Sequence, residues 1–320
     1  MNRFLHSALV MALALCFGSS AATAAPRGGS VGTATVGGTY YIWSGPWNQI
    51  VREAIPGYAM NIEVTGGPVH NIKLIESREL DFGTVSMPAV FDAWNGQDWA
   101  KRKYHSIRTL FPMYPSYATF YALADSGLKN IRDLEGKIFA PGPKGGTPDQ
   151  YYRSLLKLLN ITPKKIVNTG MNDIPGQMTD GMIDAAAGSG GEPFAPAVEV
   201  DSTNTVQILD ISQEDMETFI KAYPSWYIGM RPAGGYKNFT TPRPTLMYWN
   251  LFICHESLDD DLAYKLVDAF FSHLDAFESI YKDTCNTRPE DVLTSCIPIH
   301  PGAARWYKEH GVNIPDNLIR

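Results

Sequence analysis

Residues 31–41 read Val31-Gly32-Thr33-Ala34-Thr35-Val36-Gly37-Gly38-Thr39-Tyr40-Tyr41. Val31–Val36 is β-prone, Gly37-Gly38-Thr39 is a turn, and Thr39–Ile55 suits a helix, with Gly45-Pro46 its weak point. Strand, glycine-rich turn and helix make the repeating unit of an α/β fold. The order recurs along the chain. Asn61–Thr65 is a strand, Gly66-Gly67-Pro68 a turn, and Pro68–Ser77 a helix with Val69, Ile72 and Ile75 on one face. Leu80–Ser86 is the next strand, and Pro88–Asn95 a short helix stopped by Gly96. Further on, Lys137–Ala140 runs into Pro141–Gly146. The helix Thr147–Asn160 follows, with Tyr151, Tyr152, Leu155, Leu158 and Leu159 on its apolar face. Tyr117–Ala124, Ile183–Ala187, Val206–Leu209 and Leu246–Cys254 are the remaining strands. Asp259 caps a long helix whose stripe is Leu262, Leu266, Phe270, Phe277 and Tyr281. The pattern predicts a mainly parallel sheet covered by helices.

Two shifts in composition, near Tyr114–Tyr121 and across Gly229–Pro244, read as crossings between two lobes. The chain then starts in one lobe, builds the other and returns. Lobe I takes residues 25–117 and 240–320, and lobe II residues 118–239.

Residues 1–24 have the pattern of a secretory leader. Arg3 supplies the positive end, Ala8–Phe17 an apolar run too short for a membrane span, and Ala22-Thr23-Ala24 a cleavage site. Cleavage after Ala24 places the mature protein in the periplasm. The net charge of −6 and a pI near 5.6 exclude a basic nucleic-acid surface. In an oxidising compartment, Cys285 and Cys296 flank a polar loop and are expected to form a local disulfide. Such a bridge is worth about 3 kcal/mol. Cys254 lies in an apolar run and reads as a buried thiol. The cysteines and histidines lack metal-ligand spacing, so no metal is expected.

Four glycine-rich turns stand after strands and before helices: Gly37–Thr39, Gly66–Pro68, Gly142–Thr147 and Gly188–Gly191. Ligands bind at the carboxyl ends of strands in open α/β sheets, and helix starts offer unpaired N–H groups to an anion. Any one such turn also serves tight backbone geometry alone. Neither phosphate fingerprint is complete: Gly142–Thr147 lacks the Walker spacing and Gly188–Gly191 is not G-x-G-x-x-G. Nucleotide cofactors are therefore not expected. Lys144 is placed either to meet a ligand carboxylate or to sit solvated in its loop. Tyr40, Tyr41, Trp43 and Trp47 surround the first turn as core or as stacking surfaces. His70 and Asn71 begin the second helix as donors to a ligand or as local caps. His300 reads as a turn residue. Gly188-Ser189-Gly190 does not complete a G-x-S-x-G elbow, and H-E-x-x-H does not occur, so no catalytic residue is assigned.

Gly37-Gly38-Thr39-Tyr40-Tyr41, Thr65-Gly66-Gly67-Pro68-Val69-His70-Asn71 and Pro298-Ile299-His300-Pro301-Gly302-Ala303, with Trp306-Tyr307-Lys308-Glu309, resemble the TAXI family. Leu134-Glu135-Gly136-Lys137 and Asp184-Ala185-Ala186 fit the same pattern, over about Val31 to Gly311. These are extracytoplasmic solute receptors of tripartite ATP-independent periplasmic (TRAP) transporters. The resemblance implies a type II periplasmic-binding fold: two α/β lobes, a hinge and a cleft. It implies capture of a small organic anion, an amino acid or dicarboxylate, and its delivery to an ion-gradient-driven TRAP permease. The receptor would act as a monomer without a cofactor. Binding positions carried over are Thr39, Tyr40, Gly67, Pro68, Asn71, Gly145, Gly146 and Thr147.

The chain departs from that pattern in three places. Pro68 and His70 stand where Ser and Glu are usual, Lys144-Gly145-Gly146-Thr147 where Gly-Ser-Gly-Thr is usual, and Met87-Pro88 where Ser-Asp is common. Polar contacts are altered at each, which moves the expected guest away from glutamate toward a bulkier or more apolar carboxylate. The competing expectations are an enzyme on the same fold acting on a small carboxylic acid, an oxyanion receptor of an ATP-driven importer, and a ligand-free surface protein.

Overall fold

Strand β1 (Arg27–Gly32) opens residues 27–319, the part of the chain that the computed structural model describes. The expected leader and its cleavage after Ala24 lie outside the described residues. Helix α1 (Thr39–Ala54) follows, then β2 (Tyr58–Glu63), α2 (Pro68–Glu76), β3 (Phe82–Ser86) and α3 (Met87–Asn95). The long strand β4 (Ile107–Leu123) leads to β5 (Ile138–Ala140), α4 (Thr147–Leu158), β6 (Lys165–Ile166), α5 (Ile174–Thr179) and β7 (Ala185–Gly190). Next come α6 (Ala195–Thr203), β8 (Val206–Ile208), α7 (Gln213–Ala222) and β9 (Tyr227–Arg231). A second long strand, β10 (Arg243–His255), precedes α8 (Asp260–Ser272), α9 (Lys282–Cys285) and α10 (Pro301–Glu309).

The strands join in the order β2-β1-β3-β10-β4-β7-β5-β6, with β8 on β4 and β9 on β10. Pairing is parallel at the outer positions, β1 with β2 and β3, and β5 with β6 and β7. Through the middle it is antiparallel, because β4 and β10 run against each other and against their neighbours. The sheet is therefore mixed, where strand–helix alternation alone predicts a mainly parallel one.

Both long strands serve two lobes. β10 pairs with β9 over Arg243–Met247 and with β3 over Asn250–Cys254. β4 pairs with β10 from Ile107 to Tyr117 and with β7 from Tyr117 to Ala122. The partners change where Tyr114–Tyr117 faces Met247–Asn250, and the register slips between Asn250 and Leu251. Pro112 and Pro115 lie in this part of β4 and give no N–H to the ladder.

Each lobe has its own core. In the first, Trp43, Trp47, Phe111, Phe252, Phe270 and Phe277 are buried together. Phe111 stacks on Phe270 at 4.1 Å and Trp43 on Phe277 at 4.9 Å. The second packs Phe120, Phe139, Tyr152, Phe219 and Trp226. Asp259 caps α8, its carboxylate accepting from the Leu262 amide at 2.9 Å. That helix stops at Ser272, so the expected apolar stripe breaks. Phe277 still reaches the core from a 3-10 turn, and Tyr281, past that turn, packs against the core's edge.

The expected Cys285–Cys296 disulfide is absent, and all three described cysteines are free. Cys285 packs beside the first-lobe aromatic core, with its thiol toward the Leu274 carbonyl at 3.1 Å. Cys296 packs in the separate cluster around Met87 and Val90. Its thiol points at the Met87 carbonyl, and burial pushes its pKa up to about 12. Cys254 is fully buried. No helix among the described residues is long and apolar enough to cross a membrane.

Candidate functional site

A cavity of about 250 Å³ lies between the lobes. Four helix starts line it. Gly38 and Thr39 begin α1, Gly67 and Pro68 begin α2, Gly146 and Thr147 begin α4, and Phe194 and Ala195 begin α6. None of these starts is capped by a side chain, and α1, α2 and α6 carry no acid in their first turn. An α-helix leaves its first N–H groups unpaired, and its dipole places partial positive charge there. The site thus gathers several such ends from both lobes, an arrangement built for negative charge.

Glycine makes two of the turns possible. Gly67 holds φ at 92° and Gly37 at 81°, a region side chains rarely adopt. Pro68, Pro148 and Pro196 sit in the first turns of α2, α4 and α6. There they replace an N–H with an apolar ring, so the tips are less polar than their number suggests.

The crossing strands form the floor. The Tyr40 hydroxyl donates to Asn250 Oδ1 at 2.5 Å. Asn250 Nδ2 donates to the Tyr114 carbonyl at 3.0 Å and to Ser116 Oγ at 2.7 Å. Ser189 and Tyr248 share a hydrogen bond of 2.5 Å. By contrast, the Tyr114 and Tyr281 hydroxyls are buried without a protein partner. Burial raises the pKa of Tyr40, Tyr114 and Tyr281 well above the ordinary phenol value, so all three stay neutral. Lys144 is exposed, and it is the one charged residue among the described residues lining the cavity.

Of the residues singled out by sequence, Thr39, Tyr40, Gly67, Pro68, Lys144, Gly146 and Thr147 line this space. Asn71, His70 and Gly145 are not among its lining residues. Asn71 is buried, and its amide donates to the carbonyls of Gly32, Thr33 and Thr84 at 3.0, 2.8 and 2.9 Å. Its Oδ1 accepts from Thr65 Oγ1 at 2.6 Å, so the side chain ties α2 to β1 and β3. His70 is exposed and accepts from the Gly66 amide at 3.2 Å. The Gly145 amide donates to Asp149. His300 is fully buried at the start of α10, where Nδ1 accepts from the Gly302 amide at 3.3 Å. Sequence reading misses Tyr114, Ser116, Tyr248, Asn250 and Tyr281; Ser189 falls in the Gly188–Gly191 stretch read as a turn, but residues 188–190 belong to β7. Among the described residues, no group of three or more His, Cys, Asp or Glu is placed to hold a metal ion.

Two α/β lobes, a pair of crossing strands and a cleft between them define the type II periplasmic-binding-protein fold. Residues 31–311 match the NMT1-like family, and the chain belongs to it. The periplasmic binding protein BugD shares this fold at 12% identity and a TM-score of 0.54, over 91% of this chain and 99% of that one. A structure assigned as an L-cystine ABC transporter from Listeria monocytogenes matches at 13% identity and a TM-score of 0.50, over 82% of this chain and 98% of that one.

Proposed function

We propose that this protein is a periplasmic solute receptor that closes its lobes on a small organic anion and presents it to a membrane permease. The observation that carries this reading is the meeting of four uncapped helix starts, from both lobes, at one cavity with Lys144 at its edge. Thr39, Tyr40, Gly67, Pro68, Gly146 and Thr147 are the proposed contacts. A carboxylate docks on amides of one lobe, and the other lobe gains its contacts only on closing, so the guest shifts an open–closed equilibrium.

Among the described residues lining the cavity there is no Asp, Glu, His or Cys, and burial holds Tyr40, Tyr114 and Tyr281 neutral, which favours capture over turnover. The motif resemblance supports delivery to an ion-gradient-driven TRAP permease. The likeness to a protein assigned to an ABC transporter favours an ATP-driven importer as the second reading.

Native mass spectrometry of protein purified without refolding tests the receptor reading by the mass of any retained acid. A thermal-shift screen of organic acids follows, since a ligand at a hundred times its Kd stabilises the folded state by about 2.7 kcal/mol. A retained acid or a shift supports capture, and conversion of the bound acid on incubation would assign an enzyme instead. Uptake by proteoliposomes with an ion gradient or with ATP separates the two transport readings.

A further inference from the structure

The lining of the cavity restricts its guest beyond the sign of its charge. Trp43, Tyr114, Phe194, Tyr248 and Tyr281 bring rings to it, and the proline tips of α2, α4 and α6 add apolar surface. Against these stands one cation, Lys144. An ammonium group enclosed here would lose its water with no carboxylate among the described lining residues to replace it. Burying an unpaired charge costs several kcal/mol. A second carboxylate would find the one lysine already engaged and apolar rings beside it.

Size points the same way. A cavity of about 150 Å³ encloses benzene. In simple proportion, the 250 Å³ here suits about ten heavy atoms, a ring with a carboxylate on a short tether. The Tyr114 and Tyr281 rings stand 4.2 Å apart in this lining and widen its aromatic surface.

We propose that the guest is a monocarboxylic acid with an aromatic or compact apolar body, without an ammonium group or a second carboxylate. This rests on the receptor reading above and narrows it to a chemical class.

Calorimetric titration of the dialysed protein with phenylacetate, 3-phenylpropionate, phenylalanine, glutamate, succinate and inorganic phosphate tests it. An aryl monocarboxylate is expected to bind tightest. Phenylalanine, which is 3-phenylpropionate with an ammonium group added, should bind at least about tenfold more weakly. Glutamate, succinate or phosphate binding tightest overturns the ligand class while leaving a receptor. No binding by any of them overturns the ligand class, and the receptor reading is then decided separately by the mass of any acid retained on purification.

Discussion

The hydroxyls of Ser86 and Thr147 lie 2.8 Å apart, and they belong to opposite lobes. Ser86 ends β3, Thr147 starts α4, and both are buried beside the cavity. This bond forms only when the lobes meet. Ser86→Ala deletes the hydroxyl of the partner that does not line the cavity. Titration calorimetry should show ligand binding weakened by about 1 kcal/mol. Unaltered affinity would mean that the Ser86–Thr147 bond plays no part in closure.

A second pair spans the lobes nearby. The Tyr151 hydroxyl donates to Asp92 Oδ2 at 2.5 Å, and both side chains are buried. Burial raises the Asp92 pKa from 3.8 to about 7, Asp98 adds to the rise, and hydrogen bonds from Tyr151 and Gln97 oppose it. With its pKa raised on folding, the native state holds more protons than the unfolded one between these values. The stabilising contribution is therefore full below the unfolded value and is lost as pH climbs through the native one. Asp92→Asn mimics the neutral acid at every pH. Denaturant titration should find variant and wild type similar near about pH 4, with the variant gaining relative stability toward about pH 8. A pH-independent difference would contradict the raised carboxyl.

Lys144→Ala is expected to weaken anion binding by about 1.5–3 kcal/mol, the range of a charge-assisted hydrogen bond. Added salt should erode wild-type binding more than that of the variant. An unchanged Kd would show that the exposed Lys144 remains in solvent when the guest binds.

The cysteines give a chemical test of the fold. Because Cys254, Cys285 and Cys296 are free, alkylation of denatured, unreduced protein should label all three by mass. Reductant should leave the melting temperature where it was. A protected pair, or a lower melting temperature in reductant, would restore the bridge.

Arg231 and Glu192 form a buried pair at 2.6 Å, each side chain 2% exposed. Arg231 also donates to the Ala118 carbonyl and to Thr119 Oγ1, which fixes β9 near the crossing point of β4. Removing one member of a buried pair strands the other's charge, so Arg231→Ala should lose about 3–5 kcal/mol of folding stability. A loss below about 1 kcal/mol would place the pair among exposed ones.

Three of the four helix tips are readable from sequence because glycines between a β-prone run and a helix are a local signal, as at Gly37-Gly38-Thr39, whereas the fourth starts at Ala195, beyond the glycine run that lies mostly in β7. Their meeting is not local. Tyr114, Ser116, Tyr248 and Asn250 reach the cavity because β4 and β10 change partners there, which long-range pairing decides. Tyr281 falls on an apparent helical stripe, and only the end of α8 at Ser272 frees it to form a wall. Cys285 and Cys296 illustrate the converse. They are close in sequence, yet they pack in different clusters because each thiol follows its own buried neighbours.

The account depends on amides at helix starts from both lobes holding one carboxylate. A crystal structure of the protein with its bound acid tests this most directly. The account predicts carboxylate oxygens within about 2.7–3.2 Å of first-turn amides of α1 or α2 on one side and of α4 or α6 on the other. An acid seated outside this cavity, or held by one lobe alone with the helix tips facing only water, would contradict it.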